Sequence, residues 1–571
     1  MVVFFAAITV GQHILATGLA ASVQSVLAKA GTVVSSARLG ILVAHCELGL
    51  WPGSSAACDA GLHTVVAGDP LMRTAVAALS RAEALRRLHH GLGPEGLALR
   101  DAEGTFCGLR VDLDRPSLQA FTDKLGVRPL YWGSDQGIVF VASAQWILDR
   151  LPQIPRRPDW QACAETAAFG YPLADRTPNL HVRVLHGGQI LTAEAGASRI
   201  APWWDWTQIP AGGLHGEALV AAVRNSFDDA VAARLHSQRR VFSFLSGGMD
   251  SRLIVSSLRT QNAEVYSLNF APAGSQDLEL GRRIAQVLGS DHFEYGQSDD
   301  SFAVRRESAL IAWRAAHPQQ ASWPEQGRLI WSGDGGSVGL GHVYMDPNIV
   351  AVARQDGPEA AAAAIAAANR LTLSKHMFRT ASRSMATLPV RGIIEDLSSR
   401  RGVEPGRNAH LFFMLNDQRR HLAEHFEQVH RLGFDLVLPF FDGRFLATVL
   451  AAPVDEFIGH RLYNQLLLSS PDGSGDVPWQ AYPGHEPCPL PAPEGLRRQW
   501  EDGWHDTGTE RRNRRQRYRK SLAAAMSNRF PGQLLSRPVV LLAAVAGLAG
   551  FERFGYMTSA LAPFMRATQR P

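Results

Sequence analysis

Cysteine is scarce in this 571-residue chain, with five residues at Cys46, Cys58, Cys107, Cys163 and Cys488. Their number is odd and no two share a CxxC or metal-ligand spacing. That excludes a disulfide scaffold and a cysteine-built zinc site, and it fits a reduced, cytoplasmic protein. Lysine is scarcer still: Lys29, Lys124, Lys375 and Lys520 are the only four among 57 basic residues. An excess of one charge is also missing. The 57 basic and 53 acidic residues leave a formal charge of +4, too small and too dispersed for nucleic acid to be the main partner. No internal repeat and no long low-complexity run occurs. Nothing reads as a membrane span, which needs ~20 apolar residues. The stretch from Val539 to Phe551 is shorter, holds two glycines and reads as a core helix. The apolar start, MVVFFAAITVGQH, has no early positive charge and no cleavage pattern, so it reads as a buried strand rather than a signal peptide.

Core-forming material is abundant, since hydrophobic residues make up 46% of the chain and charged residues 19%. That excludes a largely disordered protein and allows roughly two to four domains. A composition shift at Trp203–Gly216 (WWDWTQIPAGGLHG) passes from aromatics to Pro and Gly, then to a helical pattern from Glu217 to Leu235. The boundary is placed there, giving domains 1–205 and 216–571, with Trp203, Trp204 and Trp206 packing the interface between them. The first part reads as short strands, Gly104 to Asp112, Ala120 to Asp123 and Ile138 to Ala142. The second alternates: strand Val241 to Leu245, helix Arg252 to Arg259, strand Val265 to Asn269, helix Leu278 to Leu288, strand Leu329 to Trp331. Such alternation predicts an α/β fold with a parallel sheet and crossover helices. Beyond about residue 350 the pattern is mostly helical, and Ala360 to Ala368 reads as a surface helix.

The segment with the most chemistry is Phe242-Ser-Phe-Leu-Ser-Gly-Gly-Met-Asp-Ser251, a strand running through two glycines into a helix. Gly247 and Gly248 carry no side chain to clash with a ligand. The amides of the turn and of the helix N-terminus then offer a phosphate site. Ser246 and Ser251 can donate hydroxyl hydrogen bonds, and Asp250 can hold Mg²⁺ against phosphate oxygens. No lysine lies near it, so this is not the GxxxxGK[ST] loop of kinases and GTPases.

The SGGMDS loop resembles the pyrophosphate loop of ATP pyrophosphatases, and further segments extend the likeness to the asparagine-synthetase-like family over nearly the whole chain. Asp123-Lys-Leu-Gly-Val-Arg-Pro-Leu-Tyr-Trp132 looks like an element of that family's glutaminase domain. Ser275 to His292 resembles the segment after its second strand. Trp331-Ser-Gly-Asp-Gly-Gly-Ser-Val-Gly-Leu-Gly-His342 resembles its second phosphate loop, and Leu438-Pro-Phe-Phe-Asp442 its LPFLD helix start. The resemblance implies an N-terminal Ntn-hydrolase-like (glutaminase-like) domain. Beside it comes a doubly wound, adenine-nucleotide α-hydrolase-like synthetase domain with a helical C-terminal part. It also implies ATP and Mg²⁺ as cofactors, release of AMP and pyrophosphate, and nucleotide contacts at Leu268 and Gly333.

Two departures qualify it. Glutamine-hydrolysing members carry a cysteine directly after the initiator Met, where this sequence has Val2, so ammonia release from glutamine is not expected. The family's second metal-binding aspartate falls at Ser337, and Asp334, three residues earlier, is the candidate to take its place. Loss of the thiol with retention of the synthetase loops resembles β-lactam synthetases and lasso-peptide cyclases. Val477-Pro-Trp-Gln480, after the helix-like His460-Arg-Leu-Tyr-Asn-Gln465, looks like the cyclase branch. That branch implies a precursor peptide as partner, a companion leader-peptidase, and ring closure between the peptide's amine and an Asp or Glu side chain. The resemblance also implies a C-terminal lysine that stabilises charge during amine attack; Lys375 and Lys520 are the two candidates outside the N-terminal domain, and Lys520 lies roughly where the family places it.

Two other patterns carry less. His421-Leu-Ala-Glu-His425 satisfies the HxxEH zinc-peptidase pattern, yet no third ligand stands out. Arg511 to Lys520 (RRNRRQRYRK) reads as a solvated or substrate-facing surface rather than a nucleic-acid arm.

Overall fold

Strand Arg240–Phe244 is aromatic and β-branched at its centre, and it lies in the middle of a five-stranded sheet. The computed structural model describes residues 2–10, 15, 17–38, 40–73, 78–93, 95–194, 196–235, 238–296, 302–321, 328–498 and 507–569. Residues 11–13 of the apolar N-terminal stretch lie outside them. The described chain falls into two compact units. The first comprises Met1–Gln153, Leu185–Val343 and His421–Trp504.

Within the first unit the central sheet runs in the order Asp291–Glu294, Glu264–Asn269, Arg240–Phe244, Leu329–Trp331, Asp435–Val437, and all its pairings are parallel. The chain builds outward from Arg240–Phe244 in one direction, then returns to add Leu329–Trp331 on the other side. This is the doubly wound order. The reversal makes a crevice at the carboxyl ends of Arg240–Phe244 and Leu329–Trp331, the place where such sheets bind ligands. The crossover helix Gln276–Leu288 is set by local chemistry. The Ser275 hydroxyl accepts the Leu278 N–H at 3.0 Å, and Asp277 and Glu279 stand in the first turn. Gly289, at φ 62°, closes its end.

The first unit also holds two antiparallel sheets packed face to face. One has the run Tyr131–Asp135, Ile138–Ala142, Val2–Thr9, Ile41–Glu47, Val33–Arg38. The other is six-stranded, from Ala197–Pro202 through Gln189–Glu194, Ser117–Thr122, Phe106–Asp112 and Leu62–Gly68 to Ala56–Asp59. Alternate residues Val2, Phe4, Ala6 and Ile8 meet Val65, Leu109, Val111, Leu118 and Ala120 in a shared core. Helix Arg81–Gly91 covers the six-stranded sheet, and Trp203 lies in that layer. Trp204 and Trp206 instead gather around Lys124: its Nζ stands 3.9 Å from the Trp204 ring, and Trp206 Nε1 donates to its carbonyl at 2.7 Å. Lys124 in turn borders Gly443 at the start of a helix after the parallel sheet. Trp203 thus fills the outer core, while Trp204 and Trp206 pack on Lys124.

The DKLGVRPLYW element ties these sheets to the parallel one. Asp123 folds its own turn, accepting the N–H groups of Phe106, Leu125, Gly126, Val127 and Arg128. Arg128 Nη2 then donates to both oxygens of Asp435, at 2.6 and 2.7 Å, with both side chains almost fully buried. Trp51 Nε1 donates to the same carboxylate at 2.5 Å. Burial pushes the Asp435 carboxyl up, but the Arg128 guanidinium and His425 outweigh it and hold it far below the ordinary carboxylate range.

The second unit, Ile154–Val184, Tyr344–Arg420 and His505–Pro571, is predominantly helical. Its core gathers Phe378, Phe530, Leu535, Val540 and Phe564. Helix Arg537–Leu548 buries Val540, Ala543, Ala544 and Gly547 on one face, while Leu542, Val545 and, beyond its end, Phe551 are exposed, so it is half-buried rather than the expected core helix. Ala360 to Ala368 is helical with one exposed face, Ala363, Ala367 and Ala368, as expected of a surface helix. It belongs to Pro347–Ala368, and Ala361, Ala362, Ile365 and Ala366 form a buried stripe at i, i+1, i+4 and i+5. The basic run Arg511 to Lys520 lies on helix Thr507–Met526, mostly exposed, with Tyr518 buried against Gly547 and Gly555. Among the described residues no helix is long and apolar enough to cross a membrane.

Candidate active site

Two loops leave the carboxyl edge of the parallel sheet side by side, Ser246–Met249 ahead of helix Asp250–Thr260 and Ser332–Gly335 ahead of the short helix Gly336–Gly339. The first is fixed by its own hydroxyls. Ser246 N–H donates to Ser251 Oγ at 2.9 Å, the two hydroxyls lie 3.0 Å apart, and Gly248 N–H donates to Ser246 Oγ at 3.2 Å.

The two glycines do different work. A Cβ on Gly247 would stand 2.8 Å from Leu280 Cβ and 3.0 Å from the Asp277 backbone. Its lack of side chain therefore serves the approach of helix Gln276–Leu288, not that of a ligand as the sequence suggested. The Gly247 N–H is also taken, by Asp277 Oδ1 at 2.7 Å. A Cβ on Gly248 would meet only Ser246 Oγ, at 3.3 Å, so that glycine faces open space.

Asp250 is the focus of the site. Tyr463 OH donates to its Oδ1 at 2.7 Å and Ser337 Oγ to its Oδ2 at 2.7 Å. Gly333 and Gly336 lie so close that a Cβ on either would strike Asp250, at 2.8 and 2.5 Å. Burial, with the like charge of Asp334 adding to it, raises the Asp250 carboxyl to about 6 against the pull of its two hydroxyl donors. Asp334 is the opposite case. Burial raises it, but His421 Nε2 at 3.1 Å, the Ser332 hydroxyl at 2.6 Å and the charge of Arg306 prevail and hold it at about 2. Two half-buried carboxylates thus share the crevice, one firmly ionised and one costly to ionise.

These residues fit Mg²⁺. The donors converging here, Asp250, Ser337 and the nearby charge of Asp334, are oxygens only, the ligand type of that ion, which keeps several waters and adds substrate phosphates. A cation at Asp250 would offset the burial that lifts its carboxyl. Asp334 already spends both oxygens on His421 and Ser332, so it stands beside Asp250 chiefly as a fixed charge.

The other sequence candidates sort as follows. Gly333 lies against Asp250 and Ser251 N. Leu268 is buried in strand Glu264–Asn269, and its carbonyl accepts the Leu245 N–H at 3.0 Å. Lys520 is exposed on Thr507–Met526 in the second unit, so the site of the first unit is described without it. The HxxEH pattern does not assemble: a turn at Leu422 separates its helices, His421 meets Asp334, and buried His425 faces Asp435 at 3.9 Å. Sequence reading missed Tyr463, Asp277, Arg306 and the service of His421 to Asp334. The first two lay inside segments quoted for their likeness, whereas nothing in the local sequence marked Arg306.

Arg252, two residues past Asp250, is fully buried and anchors the 477–480 segment. Its guanidinium donates to the carbonyls of Ser474 at 2.9 Å, Pro478 at 2.7 Å and Val477. Trp479 Nε1 donates to Asn464 at 3.1 Å, on the helix that carries Tyr463.

With the geometry in hand, comparison with known proteins agrees with the sequence likeness. Residues 222–317 match the asparagine synthase family model, and residues 72–204 match the glutamine amidotransferase domain model. The first span contains Ser246–Ser251 and the second contains Asp123–Trp132. The fold is an Ntn-type amidotransferase domain followed by an asparagine synthase domain with a helical C-terminal region. A glutamine-hydrolysing asparagine synthetase 2 of Arabidopsis thaliana is 26% identical over 231 residues, covering 38% of this chain and 34% of its own. Asparagine synthetase 1 of Bacillus subtilis is 24% identical over 217 residues, with 38% and 34% covered. The chain therefore spans about a third of the length of these curated relatives. Among solved structures, a glutamine phosphoribosylpyrophosphate amidotransferase from B. subtilis reaches a TM-score of 0.24 at 11% identity, over 52% of this chain and 91% of that one.

Proposed function

We propose that this protein forms an amide bond by activating a carboxylate as its acyl-adenylate, and that its substrate is a peptide whose own amine closes a macrolactam ring. The observation that carries the adenylation reading is the placement of Asp250. It opens a helix at the switch point of a doubly wound sheet, walled by Gly333 and Gly336 and held by Tyr463 and Ser337. The open face of Gly248 and the Ser246 and Ser251 hydroxyls suit the leaving pyrophosphate. Mg²⁺ held by Asp250 and Ser337 would neutralise phosphate charge. The substrate carboxylate attacks the α-phosphorus of ATP and pyrophosphate departs. The amine nitrogen then bonds to the acyl carbon, AMP leaves with the electron pair of the C–O bond, and the nitrogen gives up a proton.

The choice of an internal amine rests on the amidotransferase-like domain. Val2, where the glutaminase thiol would stand, is a fully buried apolar residue paired with Glu47. The peptide reading also draws on the segment Val477–Gln480, which Arg252 fastens behind the adenylation loop. A precursor core peptide freed by a companion protease would meet these requirements, with an Asp or Glu side chain as the acyl group.

The test is ATP–pyrophosphate exchange with synthetic peptides bearing a free N-terminus and one Asp or Glu at varied positions, followed by mass analysis. The reading expects exchange and a product lighter by one water. Exchange with free amino acids alone would replace the peptide by a small molecule, and no exchange at all would overturn adenylation.

A further inference from the structure

The formal charge of +4 conceals an uneven distribution. Residues 511–571 hold twelve Arg and Lys against one acidic residue, Glu552, a formal charge of +11. The 510 residues before them hold 45 basic and 52 acidic residues, a charge of −7. Such asymmetry within one chain points to a partner of negative charge at the basic end. Seven of the twelve fall between Arg511 and Lys520 on helix Thr507–Met526, where Arg511, Arg515 and Arg519 are exposed along one side at i, i+4 and i+8.

An apolar surface adjoins them. Helix Arg537–Leu548 carries no charge beyond Arg537, and its outer side is the exposed stripe Pro538, Leu542 and Val545, continued by Ala549 past its end. A helix at a protein surface ordinarily turns charged or polar residues to water on that side. Leu542 and Phe551, each 70% exposed, are the most exposed large apolar side chains among the described residues, and Phe554 and Tyr556 are exposed beside them.

Tyr518 joins the two features. It is the buried residue in the middle of the basic run, and a Cβ on Gly547 would strike its ring while one on Gly555 would strike its hydroxyl. The basic helix is thereby seated on Arg537–Leu548 and on the start of helix Gly555–Ser559. Tyr518 lies between exposed Arg517 and Arg519, and Gly555 between exposed Phe554 and Tyr556, so guanidinium groups and aromatic rings meet at one junction.

We propose that this face of the C-terminal helical unit docks on an anionic lipid surface, with Leu542, Phe551 and Phe554 entering the headgroup boundary and the arginines between Arg511 and Arg519 paired with lipid phosphates. Neither signal suffices alone, since a few apolar side chains give marginal membrane binding and need a polybasic patch beside them. A nucleic acid would satisfy the arginines and leave Leu542 and Phe551 in water. A second copy meeting this face would set one +11 segment against another. A helical protein partner is received in a groove, whereas side chains exposed by 70% stand out from the surface and suit insertion into a soft layer. The protein lies on the bilayer and does not cross it, in keeping with the lack of a spanning helix among the described residues. The proposal is independent of the adenylation reading.

The full chain is sedimented with vesicles of phosphatidylcholine alone or with roughly a third of the lipid replaced by phosphatidylglycerol. Binding to the anionic vesicles is expected, falling as salt rises, with little binding to phosphatidylcholine alone. Arg515→Gln together with Arg519→Gln should lower the partition coefficient about 25-fold, or about fivefold for each charge removed. Leu542→Ser together with Phe551→Ser should lower it by about tenfold or more through lost insertion. All four side chains are exposed, so both double variants should unfold at the wild-type temperature, and either one alone tests its half of the surface. Equal binding to the two kinds of vesicle, or wild-type binding in both double variants, would overturn the proposal. So would self-association that Leu542→Ser with Phe551→Ser abolishes in a protein that ignores vesicles, which would give the face to a second copy. Capture of polyglutamate or of an oligonucleotide without vesicle binding would overturn it as well.

Discussion

Ser337 donates its hydroxyl hydrogen to Asp250 Oδ2 across 2.7 Å, at the loop position where the resembling family carries a second carboxylate. A neutral donor there supports the Asp250 charge without adding another negative one. Asp334, its oxygens already bound by His421 and Ser332, supplies the second negative charge that Asp250 feels.

Asp250 should consequently be indispensable. Asp250→Asn keeps the hydrogen-bonding shape and removes the charge, and it is expected to abolish peptide-dependent pyrophosphate exchange in a protein with unchanged circular dichroism. Tyr463→Phe removes one of its two hydroxyl donors and should weaken Mg²⁺ dependence by about 10–100-fold, the usual cost of losing a partner of a metal ligand. Near-normal exchange in Asp250→Asn would move the site elsewhere.

The Arg128–Asp435 pair predicts stability rather than rate. Arg128→Met leaves a fully buried carboxylate without its main partner and should cost about 3–5 kcal/mol in urea denaturation. Replacing both residues by Met and Leu should restore much of that. Because the folded Asp435 carboxyl is depressed, its contribution is complete above the unfolded value of about 4 and fades as pH falls below it.

Glu427 predicts the opposite slope. It accepts the Gln145 N–H at 2.9 Å, and burial raises its carboxyl to about 7. A raised acid contributes stability that is complete below its unfolded value and lost as pH rises through the folded one. Glu427→Gln should therefore flatten the decline in stability between about pH 4.5 and 7. An unchanged slope in thermal unfolding would contradict this.

Glutamine should not be a nitrogen source. Val2 is buried and apolar, burial and Glu47 raise the Cys46 thiol, and burial drives Cys107 to about 12, so neither of these two thiols is activated. No glutamate should appear from glutamine, with or without ATP. Release of glutamate in step with turnover would show a nucleophile that this account lacks.

The parallel sheet was legible because each of the three strands read between Val241 and Trp331 is a short apolar run separated by a helical pattern, whereas the strand order and the short strands Asp291–Glu294 and Asp435–Val437 were not. The SGGMDS loop was legible because glycine, serine and aspartate in that order have few other uses. What stayed hidden is contact at a distance. Gly247 looked like a ligand glycine, but its neighbour is Leu280, more than thirty residues on. The DKLGVRPLYW element looked like a glutaminase signature, and the amidotransferase match agrees with that, but no local pattern announces that its Arg128 pairs with Asp435. Tyr463, on helix Arg461–Leu468, and Ser337 converge on the two oxygens of Asp250 from segments far apart in the sequence. The HxxEH spacing, already set aside for want of a third ligand, assumes a continuous helix, and the chain breaks at Leu422.

The most direct test of the acyl-adenylate follows one oxygen atom. A substrate peptide whose Asp or Glu carboxylate carries oxygen-18 is turned over with Mg·ATP, and the spent nucleotide is analysed by mass spectrometry. The account predicts AMP bearing one labelled oxygen, with unlabelled pyrophosphate and no ADP. ADP with label in inorganic phosphate would contradict it, since the carboxylate would then have been activated at the γ-phosphorus rather than at the α-phosphorus beside Asp250.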